Sequence, residues 1–216
     1  MIKKFQLYMP TFNENRQIHM YLPDDYLSGS QRYPVLYMFD GHNLFLDSDA
    51  TYGTSWNFIK NIENHGFPMI VVGQECSHQG NERLNEYGPY PFHSDDMNFE
   101  GKGIQTMEFF VHTLKPYIDQ HYPTLPDRDH TWIGGSSCGG LMAYYAGICY
   151  NGVYSKLVCV SPYFIPTAQY LLKDTEKASL CKNTCFYMSW GSQEAGCHMF
   201  EQETKICTEL TNILID

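Results

Sequence analysis

"HTWIGGSSCGGLMAYY", residues 130–145, sets seven consecutive small residues, four of them glycine, between a strand-like apolar run and a helix-like one. Such a turn serves either a phosphate that the backbone must approach or a side chain on a turn too tight for ordinary residues. Both phosphate readings lack a required part. A Walker loop needs a lysine directly after its second glycine, and no lysine follows these glycines. A dinucleotide fingerprint needs an acid about twenty residues further on for the ribose. No Asp or Glu occurs from residue 130 through residue 173. The tight-turn reading fits. Gly135-Ser136-Ser137-Cys138-Gly139 matches G-x-S-x-G, a nucleophile elbow with Ser137 at its centre, whose flanking glycines avoid a Cβ clash. The elbow lifts the serine hydroxyl above the sheet, and the next backbone N–H, that of Cys138, faces a developing oxyanion. Centring on Ser136 would put Cys138 where a glycine is needed. A nucleophile at Cys138 would be flanked by Ser136 and Gly140, a poorer fit.

Working outward, the chain alternates. Apolar runs recur at "YPVLYMFD", "PMIVVGQE", "HTWIGG", "KLVCVSP" and "CFYMSWG", with helix-like segments near residues 55–64, 104–122 and 138–150. Continuous rather than alternating hydrophobicity marks strands covered on both faces, as in a parallel sheet. Two runs before them, "KFQLYMP" and "RQIHMYLP", predict an antiparallel pair, each strand stopped by a proline. The pattern predicts one α/β domain over residues 1–216, a mostly parallel central sheet with helices on both faces. Ligand sites in such sheets lie beyond the carboxyl ends of the strands. Here those ends are "FDGHN", "GQECS", "GGSSCGG", "SPYF" and "WGSQEAG". A second oxyanion donor belongs to the loop after the earlier strand, which points to the backbone near Gly41 and His42.

Together, "RYPVLYMFDGHNLF", the R-x-x-E-Y-x-P of Arg83, Glu86, Tyr87 and Pro89, "LKPYIDQHYPTLPD" and "GGSSCGG" resemble the putative esterase family. This is the esterase D and enterochelin-esterase-like branch of the α/β-hydrolases, and the resemblance runs from about residue 32 to residue 196. It implies a serine hydrolase of carboxylic esters with a Ser-acid-His triad, a small-molecule ester as substrate, and neither cofactor nor metal. It places the nucleophile at Ser137 and the oxyanion N–H groups at His42 and Cys138. Triad order is Ser, acid, His. "SPYF" carries no acid, which leaves Glu194 in "WGSQEAG", a loop of the kind that holds the family's acid.

The histidine is where the sequence departs from the family. Its usual place is a Gly-His loop beyond one more strand, before a last helix. Here "CHMFEQETKICTELTNILID" reads as a helix, so the C-terminal strand and helix of the fold are expected to be missing. Of nine histidines only His198 follows Glu194. His42, beside the oxyanion loop, and His93 are the alternative bases. A shortened esterase is expected to hydrolyse esters poorly, or to serve instead as an inactive binding protein on the same scaffold. An uncovered sheet edge would favour a homodimer.

Composition bounds the partners. A formal charge of −10 disfavours nucleic acid and anionic membranes, and no apolar stretch reaches a membrane span's length. The opening "MIKKFQLYMP" has no apolar run behind its lysines, which predicts a cytoplasmic chain whose eight cysteines stay reduced. The cysteines show no CxxC and no zinc-like pairing, and the bland expectation is small buried hydrophobes.

Overall fold

The computed structural model describes residues 1–27, 29–94, 96–194 and 197–215, with residues 197 and 198 given by their backbone alone. In chain order its elements are β1 (Ile2–Met9), β2 (Glu14–Tyr21), β3 (Val35–Phe39), α1 (Phe58–His65), β4 (Ile70–Gln74), α2 (Glu82–Glu86), β5 (Phe92–Ser94), β6 (Met97–Phe99), α3 (Gly103–Phe109), α4 (Lys115–His121), β7 (Thr131–Ser136), α5 (Cys138–Cys149), β8 (Lys156–Val160), α6 (Ala168–Thr175), β9 (Cys185–Ser189) and α7 (Cys197–Ile215). Seven strands form one sheet in the order β1-β2-β4-β3-β7-β8-β9. The β1–β2 and β2–β4 pairs are antiparallel, and β4, β3, β7, β8 and β9 run parallel to one another. The expected mostly parallel α/β sheet is present, and each of the five apolar runs is a strand.

The strand pattern explains the layers. All five residues of β3 are buried, because both of its faces are covered. Val35, Tyr37 and Phe39 face the larger core, with Phe109, Phe110, Leu141 and Leu210. Leu36 and Met38 face the other side, where Ile62 of α1 packs. Successive side chains point to opposite faces of a strand, so one short run serves two cores. Helix α5 is buried along nearly its whole length, which suits its apolar character on every side.

Two local details differ from the sequence reading. The helix expected over residues 104–122 is α3 and α4 joined by a π-helical turn, Phe110–Leu114. Pro116 stands in the first turn of α4 and has no N–H to give back to the preceding turn, so the ladder widens there. The short hairpin β5–β6 and helix α6 also carried no clear sequence signal. Helix α7 lies where a terminal helix was expected, directly after β9. Among the described residues no helix is long and apolar enough to cross a membrane.

Candidate active site

Strand β7 ends at Ser136 and α5 begins at Cys138, so Ser137 alone makes the turn. Its backbone has φ 58° and ψ −121°, a left-handed conformation uncommon for a residue with a Cβ. Surrounding bonds hold it there. Ser137 N–H donates to the Val160 carbonyl (3.0 Å), and its own carbonyl accepts from Leu141 (3.0 Å) and Tyr163 (3.0 Å). The turn needs a glycine beside it, because a Cβ on Gly135 would stand 2.5 Å from the Gly139 carbonyl carbon. Ser137 is exposed between the buried Gly135 and Cys138. The first N–H groups of a helix have no partner within it, so the Cys138 amide is free of the α5 ladder and lies at its positive end. The Cys138 thiol is buried, and burial pushes it up, away from the nucleophilic thiolate.

Facing the elbow is the loop after β3. Asp40 takes a left-handed conformation (φ 57°) and starts a single 3-10 turn, Gly41–Asn43, closed by Asn43 N–H to the Asp40 carbonyl at 2.9 Å. Gly41 and His42 precede that first bond, so the turn itself does not use their amides. The loop touches β4 so closely that a Cβ on Gly41 would sit 2.4 Å from the Gly73 carbonyl. Arg83 clamps it from α2: Nε donates to Asp40 Oδ1 (2.8 Å) and Nη2 to Oδ2 (2.7 Å). Tyr87 accepts from the Asp40 amide (3.2 Å) and donates to Gln74 Oε1 (2.6 Å). Glu86 pairs with Arg16 and accepts the Ser77 amide (2.9 Å). The R-x-x-E-Y stretch is therefore the brace of this loop. A half-buried pair such as Arg83–Asp40, with only the carboxylate fully buried, costs desolvation, so its value lies in placement.

Two cavities meet at Ser137. One, of about 240 Å³, is lined by Tyr163, Trp190, Glu194, Phe200 and Glu203 as well as Ser137. The other, of about 440 Å³, is lined by Asp40, His42, Cys76, His78, Arg83 and Ser137. Ser137 thus lines both cavities, with Glu194 in the one and His42 in the other, and Cys138 follows the serine. Glu194 is exposed, and its Oε1 accepts from Ser161 Oγ (2.8 Å) and the Gly191 amide (3.0 Å). The His198 side chain lies outside the described residues, although Met199 beside it lines the Glu194 cavity.

The other eight histidines have partners of their own. His42 Nε2 lies 2.9 Å from Thr51 Oγ1, and burial lowers its pKa, which keeps the ring neutral. His93 is exposed and pairs with Asn98 across its hairpin, at 3.1 Å. His19 and His78 bond Glu75, and His130 bonds Asp127. His65 and His121 bond backbone carbonyls, and His112 pairs with Glu108.

Glu203 was not singled out in the sequence. Its carboxyl is nearly buried against the turn Ile165–Thr167, its Oε1 accepts the Phe164 amide (3.3 Å), and burial raises its pKa to about 7. Only its place in an amphipathic α7 could have hinted at this.

Against known proteins, the family model described as "Putative esterase" matches residues 9–206. The uncharacterized protein YbbA of Bacillus subtilis is 25% identical over 150 residues, covering 68% of this chain and 56% of that protein. Esterase Rv1288 of Mycobacterium tuberculosis is 28% identical over 147 residues, covering 66% of this chain and 28% of that one. The chain therefore spans about half of the first relative and under a third of the second. The structure of an IroE-like serine hydrolase from Shewanella oneidensis superposes with a TM-score of 0.78 at 18% identity, over 99% of this chain and 70% of that one. That likeness establishes the shared fold, and the family match extends from β1 into α7. The chain belongs to the putative esterase family.

Proposed function

We propose that this chain is a serine hydrolase of carboxylic esters with Ser137 as nucleophile. The Ser137 oxygen attacks the ester carbonyl, and the carbonyl oxygen, now negative, accepts hydrogen bonds from the Cys138 and His42 amides. Collapse expels the alcohol and leaves an acyl group on Ser137, which water then removes. A serine hydroxyl needs a base to take its proton and return it to the leaving alcohol. His198 is the histidine that follows Glu194 in the chain, and the first turn of α7 borders the Glu194 cavity. In this reading His198 is the base and Glu194 orients it. The observation that carries the proposal is the backbone of Ser137: φ 58°, exposed, at the mouth of two cavities and opposite the braced loop of Asp40 and His42.

A second reading is an esterase fold without an operating triad. The eight histidines whose side chains are described favour it, since each is engaged by a partner other than Ser137. The test is hydrolysis of p-nitrophenyl butyrate by the chain, Ser137→Ala and His198→Ala. The proposal predicts that each variant loses about 10⁴-fold or more, because triad members act as a unit. Equal rates for the chain and Ser137→Ala would favour the second reading. Loss in Ser137→Ala but not in His198→Ala would move the base to His42.

A further inference from the structure

Beside Ser137, in the larger of its two cavities, three side chains of different loops converge. His42 comes from the loop after β3, and Cys76 and His78 from the loop after β4. Strands β3 and β4 are parallel neighbours, so both loops leave the same edge of the sheet. One ligand atom from each residue lies within 4.8 Å of the other two.

The hydrogen bonding suits metal ligation. His42 is 4% exposed, and its Nδ1 is buried without a partner, whereas Nε2 is engaged by the Thr51 hydroxyl. An orphaned buried ring nitrogen is costly in a folded protein. If Nε2 carries the proton, Nδ1 is left with an unused lone pair. His78 Nε2 lies 2.8 Å from Glu75 Oε1, so its Nδ1 is likewise the free atom, with a carboxylate behind the ring. A carboxylate or hydroxyl on the far nitrogen is the usual outer support of a metal-bound histidine. The Asp40 and Glu75 carboxylates add negative charge around His42.

We infer that His42, Cys76 and His78 form a binding site for a zinc-class divalent cation, with a fourth position open to the cavity that Ser137 shares. Two histidines and a thiolate suit a borderline-soft ion rather than calcium or magnesium. Zinc bonds of about 2.0–2.1 Å to nitrogen and about 2.3 Å to sulfur put ligand atoms roughly 3.3–3.6 Å apart in a tetrahedron. From a spread of up to 4.8 Å the ligand atoms close by up to roughly 1.2–1.5 Å, with the exposed His78 side chain as the member freest to move. On binding, the Cys76 thiol gives its proton to solvent and the sulfur takes the metal. The ester-hydrolase reading with His198 as base does not use this site, since it takes from His42 only the backbone amide; a base at His42 would compete with the metal for the same ring.

The experiment is titration of the tag-free chain with Co²⁺ alone, followed by ultraviolet and visible absorption, with Zn²⁺ competition. Cys76→Ser and His78→Ala serve as variants, each checked for folding by near-ultraviolet circular dichroism. The expected result is one Co²⁺ per chain with a thiolate-to-cobalt charge-transfer band, displaced by Zn²⁺. Cys76→Ser should lose the band, and the exposed His78→Ala should bind about 10- to 100-fold more weakly. Should Cys76→Ser fail to fold, His78→Ala decides alone. Absence of the band in the parent chain, its persistence in folded Cys76→Ser, or an unchanged affinity in His78→Ala would overturn the assignment.

Discussion

On one side of Ser137 the site is built from backbone, and on the other from side chains. Around the exposed Ser137, the flanking Gly135 and Cys138 and the Asp40–His42 stretch are buried, tied by main-chain bonds and by the Arg83 clamp. Glu194 is exposed and reaches the cavity through a short turn and one serine hydroxyl. Backbone geometry of the first kind is imposed by the sheet and tolerates no change of shape. The second kind can be rebuilt with few consequences for the fold. In this chain the elements that would hold an oxyanion are rigid, and the elements that would move a proton lie at the rim.

The sharpest way to break the comparison is on the rigid side. Gly135→Ala puts a Cβ against the main chain of Gly139, and no flexible side chain can yield. It should destabilise the chain by about 2–4 kcal/mol and disorder the elbow, measurable as a lower urea midpoint. A neutral effect would mean that the turn is less constrained than its geometry says. Next in size is Arg83→Lys. The ammonium cannot reproduce the two-pronged contact with Asp40, so the loop should lose its setting. Ester hydrolysis should fall by about 10- to 100-fold in kcat/KM, while urea stability drops by only about 1–2 kcal/mol.

The smallest effect is expected on the side-chain half. Burial raises the Glu203 pKa to about 7, above an ordinary carboxyl. The folded state therefore holds a proton that the unfolded chain has already lost. Below the unfolded value near 4.5 both states are protonated and burial of this carboxyl costs nothing from charge. Stability is lost as pH rises from there through 7. Glu203→Gln should thus be more stable than the parent by about 1–2 kcal/mol at pH 8 and equal to it below pH 4.5, as read from thermal unfolding. A constant difference across that range would assign the change to packing instead.

The same contrast decided what could be read from the sequence. Strands β3, β4, β7, β8 and β9 were legible because burial on both faces leaves an unbroken apolar run. The tight turn at Ser137 between β7 and α5 was legible because close backbone contact admits only glycine at Gly135, and that demand is written at fixed spacing. The brace was visible as a motif, but its purpose was not, since Arg83 meets Asp40 only through tertiary packing. Strands β5 and β6 are three residues each, too short to show a period. Glu203 looked like any helix glutamate until α7 packed against the turn Ile165–Thr167. The cluster of His42, Cys76 and His78 was hidden for the same reason, because its members meet only when β3 and β4 lie side by side.

The central claim is that the elbow makes Ser137 the reacting nucleophile. The most direct measurement is mass spectrometry of the chain after reaction with a fluorophosphonate ester, mapped to the peptide and compared with Ser137→Ala. The account predicts one adduct per chain, on Ser137, and none in the variant. An unlabelled chain, or an adduct on Cys138 or another residue that persists in Ser137→Ala, would contradict it.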